Sequence, residues 1–119
     1  MKRVMIVDDS AFMRRMLRDI VIGNGYTVLC EAENGRIAVN NYIKLKPDIV
    51  TMDVTMNDMN GLDALKEILA FDPDARVVMV SSMSQEVIVR DAIVMGAKGF
   101  IVKPFEEKQI ITAFSKISK

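Results

Sequence analysis

Val4-Met5-Ile6-Val7-Asp8-Asp9-Ser10 joins a short apolar run directly to two acids and a hydroxyl. A run this short, rich in β-branched side chains and without polar alternation, is the pattern of a strand covered on both faces. The pattern returns as Thr27-Val28-Leu29-Cys30, Ile49-Val50-Thr51-Met52, Val77-Val78-Met79-Val80 and Phe100-Ile101-Val102. Between the runs, apolar residues recur three or four positions apart, the spacing of one helical face. They are Met13, Met16, Leu17, Ile20 and Val21; Ile37, Ala38, Tyr42 and Leu45; Leu62, Leu65, Ile68 and Leu69; Ile88, Ala92 and Met95; and Ile110, Ala113, Phe114 and Ile117. Side chains able to accept from a first-turn N–H predict helix starts at Asn34, Asn60 and Ser84, and Gly96 predicts a helix end. Buried strands alternating with amphipathic helices predict an α/β fold with a parallel sheet, helices on both faces and right-handed crossovers. Five units are too few for the usual eight-unit barrel, so the expected sheet is open and doubly wound.

Length and composition narrow the function. At 119 residues, half of them apolar, residues 1–119 read as a single domain with one core. Sixteen basic and sixteen acidic residues cancel, so no global field favours nucleic acid or an anionic membrane as partner. Cys30 is the sole cysteine and can form no internal disulfide; the start MKRVMIVDDS has no apolar run long enough for a signal peptide or membrane span. The cytoplasm is the expected compartment. The chain contains no histidine, which removes Ser-His-Asp and Cys-His triads and most zinc sites. With no long exposed heptad, a monomer is the expected state.

The chemistry gathers where strands end. The first strand runs into Asp8-Asp9, the third ends at Asp53, the fourth at Ser81-Ser82 and the fifth at Lys103-Pro104. In open α/β sheets that rim is where ligands bind, and acids that end neighbouring strands would meet there. Taken singly, Asp8-Asp9 reads as a turn or a helix cap and Lys103 as a solvated surface lysine; the combination turns the reading. Three converging carboxylates repel one another unless a cation sits among them. With only hard oxygen ligands to offer, the site suits Mg2+ together with a phosphate. Asp8 and Asp9 would then hold the metal, Asp53 would be the nucleophile of an aspartyl phosphate, Ser81 would donate to a phosphoryl oxygen, and Lys103 would bring a second positive charge.

The segments IVDDSAFMR, DIVTMDVTMNDMNG, VVMVSSMS and GAKGFIVKPF carry a resemblance covering essentially the whole chain. It resembles a response-regulator receiver domain of the CheY chemotaxis type. The resemblance implies a flavodoxin-like sheet of strand order 2-1-3-4-5 and a two-component phosphorelay. In that relay a histidine kinase is the phosphodonor, Asp53 the phosphoacceptor, and a motor-switch or adaptor protein the output, with a phosphatase as a further partner. It also implies Mg2+ as cofactor, with the backbone carbonyl of Thr55 as a ligand beside Asp8, Asp9 and Asp53. Ser81 and Phe100 fall on the family's switch positions, and Lys103-Pro104 on its cis peptide. Asn57 stands where the family usually has proline, which leaves the loop from Met56 to Gly61 less constrained; Ser82 stands where alanine is common. Thr55 and Met83 fall on positions that influence access of hydrolytic water.

Val87-Ile88-Val89 and Ile93-Val94-Met95 each place three apolar residues in succession on the fourth helix. Residues advance by about 100° in a helix, so one core stripe cannot cover all three. Isolated surface apolar residues are ordinary. The resemblance adds a partner face of the fourth helix, fifth strand and fifth helix, on which Val87, Val94 and Ile111 are the expected contacts. The ten methionines read as core filler, and Cys30 as a small packing residue. Three alternatives remain at this stage: a receiver domain cut from a larger regulator, a Mg2+-dependent aspartate-nucleophile phosphatase, and an FMN-binding electron carrier. The phosphatase usually carries Asp-x-Asp after the first strand and a cap, and the flavin carrier needs a Ser/Thr/Gly-rich loop where this chain has two acids.

Overall fold

The computed structural model describes residues 2–117; Met1, Ser118 and Lys119 lie outside the described residues. Five strands and five helices alternate: β1 Arg3–Val7, α1 Ala11–Gly23, β2 Thr27–Ala32, α2 Gly35–Leu45, β3 Ile49–Met52, α3 Gly61–Phe71, β4 Val77–Ser81, α4 Glu86–Met95, β5 Gly99–Val102 and α5 Glu107–Ile117. The strands form one parallel sheet in the order β2-β1-β3-β4-β5. In register, Val4 lies opposite Ile49 and Val7 opposite Met52, so β1 and β3 end side by side.

Successive strand residues point to opposite faces, and here both faces are covered. Met5, Val7, Val50, Met52, Val77 and Met79 pack with Ala38 and Tyr42 of α2, Leu65 and Ile68 of α3, and Ala92 of α4. Val4, Ile6, Ile49, Val78 and Val80 pack on the other side with Leu17 and Val21 of α1 and Ile110 and Phe114 of α5. That two-sided burial is why the central strands show no polar alternation. β2 departs from the expected two-sided burial, since only its Ala32 is buried; as an edge strand it has a neighbour on one side only. Met16, Ile37 and Leu45, read as inward, are instead exposed at 36%, 36% and 41%. They sit at the margins of stripes that the sheet covers only at the centre.

Asn34 and Asn60 cap α2 and α3, accepting from the N–H groups of Ile37 and Asp63 at 2.9 Å each. Gly96 ends α4 with φ +123°, a conformation that glycine adopts without cost. Ser10 caps α1, accepting from Met13 N at 3.2 Å, a role not anticipated for it. Ser84 does not cap α4. The cap residue is Gln85, and it makes no side-chain cap bond. The Met83 N–H is taken by Ser81 Oγ at 3.1 Å, which keeps the chain non-helical past Ser81 and starts α4 one residue later than expected. Gln85→Ser should therefore add a missing acceptor and raise stability by about 0.5–1 kcal/mol. Urea unfolding measures this, and no gain would mean that the first turn of α4 is already satisfied.

Candidate functional site

The sheet itself positions the site. Asp8, Asp53 and Lys103 each stand one residue beyond a strand, yet the ladder still holds their main chain. Asp8 N donates to Ala32 O at 3.0 Å, Asp53 N to Val7 O at 3.0 Å, and Lys103 N to Ser81 O at 2.9 Å. Their side chains therefore leave one rim from fixed points. Asp8 is 1% and Asp53 6% exposed, whereas Asp9 is exposed and forms the open side.

One oxygen from each of Asp8, Asp9 and Asp53 lies within 4.8 Å of the others. Asp8 Oδ1 accepts from Ser10 N at 2.9 Å and Oδ2 from Lys103 Nζ at 2.7 Å. The same ammonium lies 3.4 Å from Asp53 Oδ2, bridging the two buried carboxylates. Burial pushes the Asp53 carboxyl above the usual carboxylate range; the Lys103 charge pulls it down, the Asp8 charge pushes it up, and hydrogen bonds from Ser81 and Lys103 pull it down further. One ammonium cannot balance three carboxylates. The surplus negative charge and the all-oxygen donor set fit a hard divalent cation on the open side. Ser81 is fully buried; its Oγ accepts from Met83 N at 3.1 Å, and its hydroxyl helps to lower the Asp53 carboxyl.

The other expected residues are spread over the loops after β3 and β4 and over α4, β5 and α5. Thr55 is exposed in the loop after β3, and Asn57 is exposed beside Asp58, whose φ is +70°. Lys103-Pro104 is cis, as expected. Phe100 is partly buried against the core and lines a cavity of about 390 Å³ between β5 and α5. Met83 is partly buried on the β4–α4 segment. Val87 and Val94 are exposed at 55% and 79%, and Ile93 at 46%. Ile111 is partly buried and packs against the core, so it offers only an edge to a partner.

Gly61 was not singled out from the sequence. Its N–H donates to Val54 O at 2.7 Å, and a Cβ there would overlap the main chain of Asp53 and Val54. Gly61 thus lets α3 begin directly against the backbone that carries Asp53. The signal available was a glycine just inside a helix behind an asparagine cap, close in sequence to the central acid.

A family model described as the response regulator receiver domain matches residues 4–115. The chain belongs to the response regulator receiver family. Within that family, the chemotaxis protein CheY of Thermotoga maritima is 57% identical over 118 residues, covering 99% of this chain and 98% of the relative. CheY of Bacillus subtilis is 53% identical over 114 residues, covering 96% and 95%. The receiver also superposes with a TM-score of 0.96 and 37% identity on a chain of the crystal structure of the CheX-CheY-BeF3-Mg2+ complex from Borrelia burgdorferi, covering 99% of this chain and 90% of that one. It is a chemotaxis response regulator of the CheY type, a phosphoacceptor switch. The phosphatase and flavin-carrier alternatives are not favoured. Among the described residues, no helix is long and apolar enough to cross a membrane.

Proposed function

We propose that residues 1–119 act as a single, monomeric, cytoplasmic receiver domain in which Asp53 accepts the phosphoryl group of a phosphohistidine kinase and catalyses its own transfer. A carboxylate oxygen of Asp53 attacks phosphorus; the new O–P bond replaces the P–N bond, and the histidine nitrogen keeps the electron pair. The observation that carries this reading is the Lys103 ammonium set between Asp8 and Asp53 at 2.7 and 3.4 Å, beside a third carboxylate within 4.8 Å. Asp8, Asp9, Asp53 and the Thr55 carbonyl would hold Mg2+, which when bound offsets charge on the phosphoryl oxygens. The Mg2+ named for the CheY complex of Borrelia burgdorferi supports that choice. Lys103 would move its ammonium from carboxylates to phosphate, and the Ser81 hydroxyl would follow. Phe100, on the neighbouring strand, is the second switch position. Intact-mass measurement after incubation with acetyl phosphate tests the reading: one added phosphoryl group with Mg2+ and none with chelator is expected. Labelling that ignores the chelator would contradict the metal's part.

The output protein, a motor-switch or adaptor component, would dock on α4 and its neighbours through Val87, Val94 and the edge of Ile111. Replacing all three by Ser should weaken capture of that partner by the phosphorylated protein. Val87→Ser with Val94→Ser alone separates this from any loss of packing at Ile111; unchanged affinity in both sets would exclude this face. Hydrolysis of the aspartyl phosphate by the protein alone would be slow because the apolar Met83 flanks the site, and a phosphatase would be the partner that speeds it. Met83→Glu should shorten the phosphoryl lifetime; a longer one in that variant would contradict the assignment.

A further inference from the structure

Arg14 touches the acidic pocket from behind. It stands on α1 one turn after the cap, with its N–H donating to Ser10 O at 3.0 Å. From there the guanidinium turns back toward the first strand. Its Nη1 donates to the main-chain oxygen of Asp8 at 2.6 Å, and its Nε lies 3.6 Å from Glu31 Oε1. Glu31, on β2, is also gripped by Arg18 through a pair of bonds of 2.6 and 3.0 Å. The side chains of Arg14 and Glu31 are only 18% and 24% exposed, so this contact is shielded from most competing water.

Both main-chain polar groups of Asp8 are thereby tied to β2. Its N–H donates directly to Ala32 O, and its carbonyl is held through Arg14 and Glu31. That carbonyl belongs to the planar peptide joining Asp8 to Asp9. That plane holds the backbone on one side of Asp9 and the 2.9 Å bond from Ser10 N to Asp8 Oδ1 holds it on the other, which together restrict the directions in which the exposed Asp9 side chain can leave the backbone. No side-chain bond of Asp9 is found among the described residues, so its backbone is the part of it that the fold holds.

We propose that Arg14, held by Glu31, is a positioning residue for the cation site: it locks the Asp8-Asp9 peptide so that both carboxylates face the pocket before the cation arrives. The inference rests on the reading of Asp8, Asp9 and Asp53 as a Mg2+ site. Groups that orient metal ligands without touching the metal typically change affinity by about 10–100-fold when removed. Charge alone predicts the opposite sign. A guanidinium near the pocket repels a cation, so if only its charge mattered, neutralising it would tighten binding.

Isothermal titration of MgCl2 into metal-free protein at constant ionic strength distinguishes the two. Arg14→Gln should bind Mg2+ about tenfold more weakly than native protein. Arg14→Lys keeps the charge but has a single nitrogen that cannot span Asp8 O and Glu31 together, and should also bind more weakly. Arg18→Gln, which removes a partner of Glu31 but no contact to Asp8, should stay close to native. Circular dichroism confirms that each variant is folded, and if Arg14→Gln is not, Arg14→Lys decides, because its charge is unchanged. Native-like or tighter binding by Arg14→Gln, or native-like binding by Arg14→Lys where the Gln variant does not fold, overturns the inference alone. Native protein that takes up no Mg2+ overturns the cation site and this inference with it.

Discussion

Gly61→Ala is expected to cost about 3 kcal/mol of stability, the upper end of the usual penalty for overpacking, and to slow phosphorylation by acetyl phosphate about 100-fold. The added Cβ would sit only 2.8 Å from Asp53 C and 2.9 Å from Val54 Cα, and closer still to the Asp53 carbonyl oxygen. These neighbours are backbone, so no side chain can swing aside. Relief requires that α3 retreat, losing the 2.7 Å bond from Gly61 N to Val54 O, or that the segment carrying Asp53 move. The first route lowers stability. The second misplaces Asp53, the proposed nucleophile, and a shift of about 1 Å in a reacting group is enough for a loss of that size. Urea unfolding and the initial rate of labelling measure the two effects separately. A variant within about 0.5 kcal/mol of native, the range of ordinary surface changes, and labelled at the native rate would show that the close approach is not needed.

In metal-free protein at neutral pH, Asp53→Asn is expected to raise stability by on the order of 1 kcal/mol. Burial first, and then the charge of Asp8, push the Asp53 carboxyl up, and Lys103 and Ser81 only partly offset them. A carboxyl whose folded pKa lies above its unfolded value costs stability at pH values above that folded pKa. The cost is relieved as pH falls through the folded pKa toward the unfolded one. Native protein should therefore gain on the variant as the solution is made mildly acid, and the difference should close. Mg2+ bound at the proposed site is expected to reverse the order. At a hundred times its dissociation constant a ligand adds about 2.7 kcal/mol to the state that binds it, and the Asp53→Asn variant would offer one anionic ligand fewer. Urea unfolding at neutral and mildly acid pH, with and without Mg2+, checks each part; a variant less stable than native protein without metal would contradict the cost assigned to burying the Asp53 charge beside Asp8.

The sheet could be read from the sequence because its central strands are buried on both faces. Val4-Met5-Ile6-Val7 and Val77-Val78-Met79-Val80 need no information from elsewhere in the chain to be recognised. Asp8, Asp53, Ser81 and Lys103 were equally readable, since each closes such a run and parallel strands bring their ends to one rim. Asn34 and Asn60 cap as expected, because the asparagine acceptor acts on N–H groups only three residues away. Ser84 failed for a non-local reason: the buried Ser81 hydroxyl holds Met83 N and competes with the helix start. Arg14 and Gly61 escaped notice for the same kind of reason. Arg14 matters through Glu31, which only the pairing of β1 with β2 brings near, and Gly61 through a backbone folded against it. Neither contact has a local spacing that betrays it, whereas helical geometry alone required that some of three successive apolar residues on α4 stay exposed, as Val87 and Val94 do.

The most direct test of the central assignment is to locate the phosphoryl group. Borohydride reduction of the acyl phosphate formed with acetyl phosphate and Mg2+ converts the modified aspartate to homoserine, which peptide mapping can place. Homoserine at position 53, and at neither 8 nor 9, is the predicted result. Homoserine at position 8 or 9, or equal modification of the Asp53→Asn variant, would contradict it.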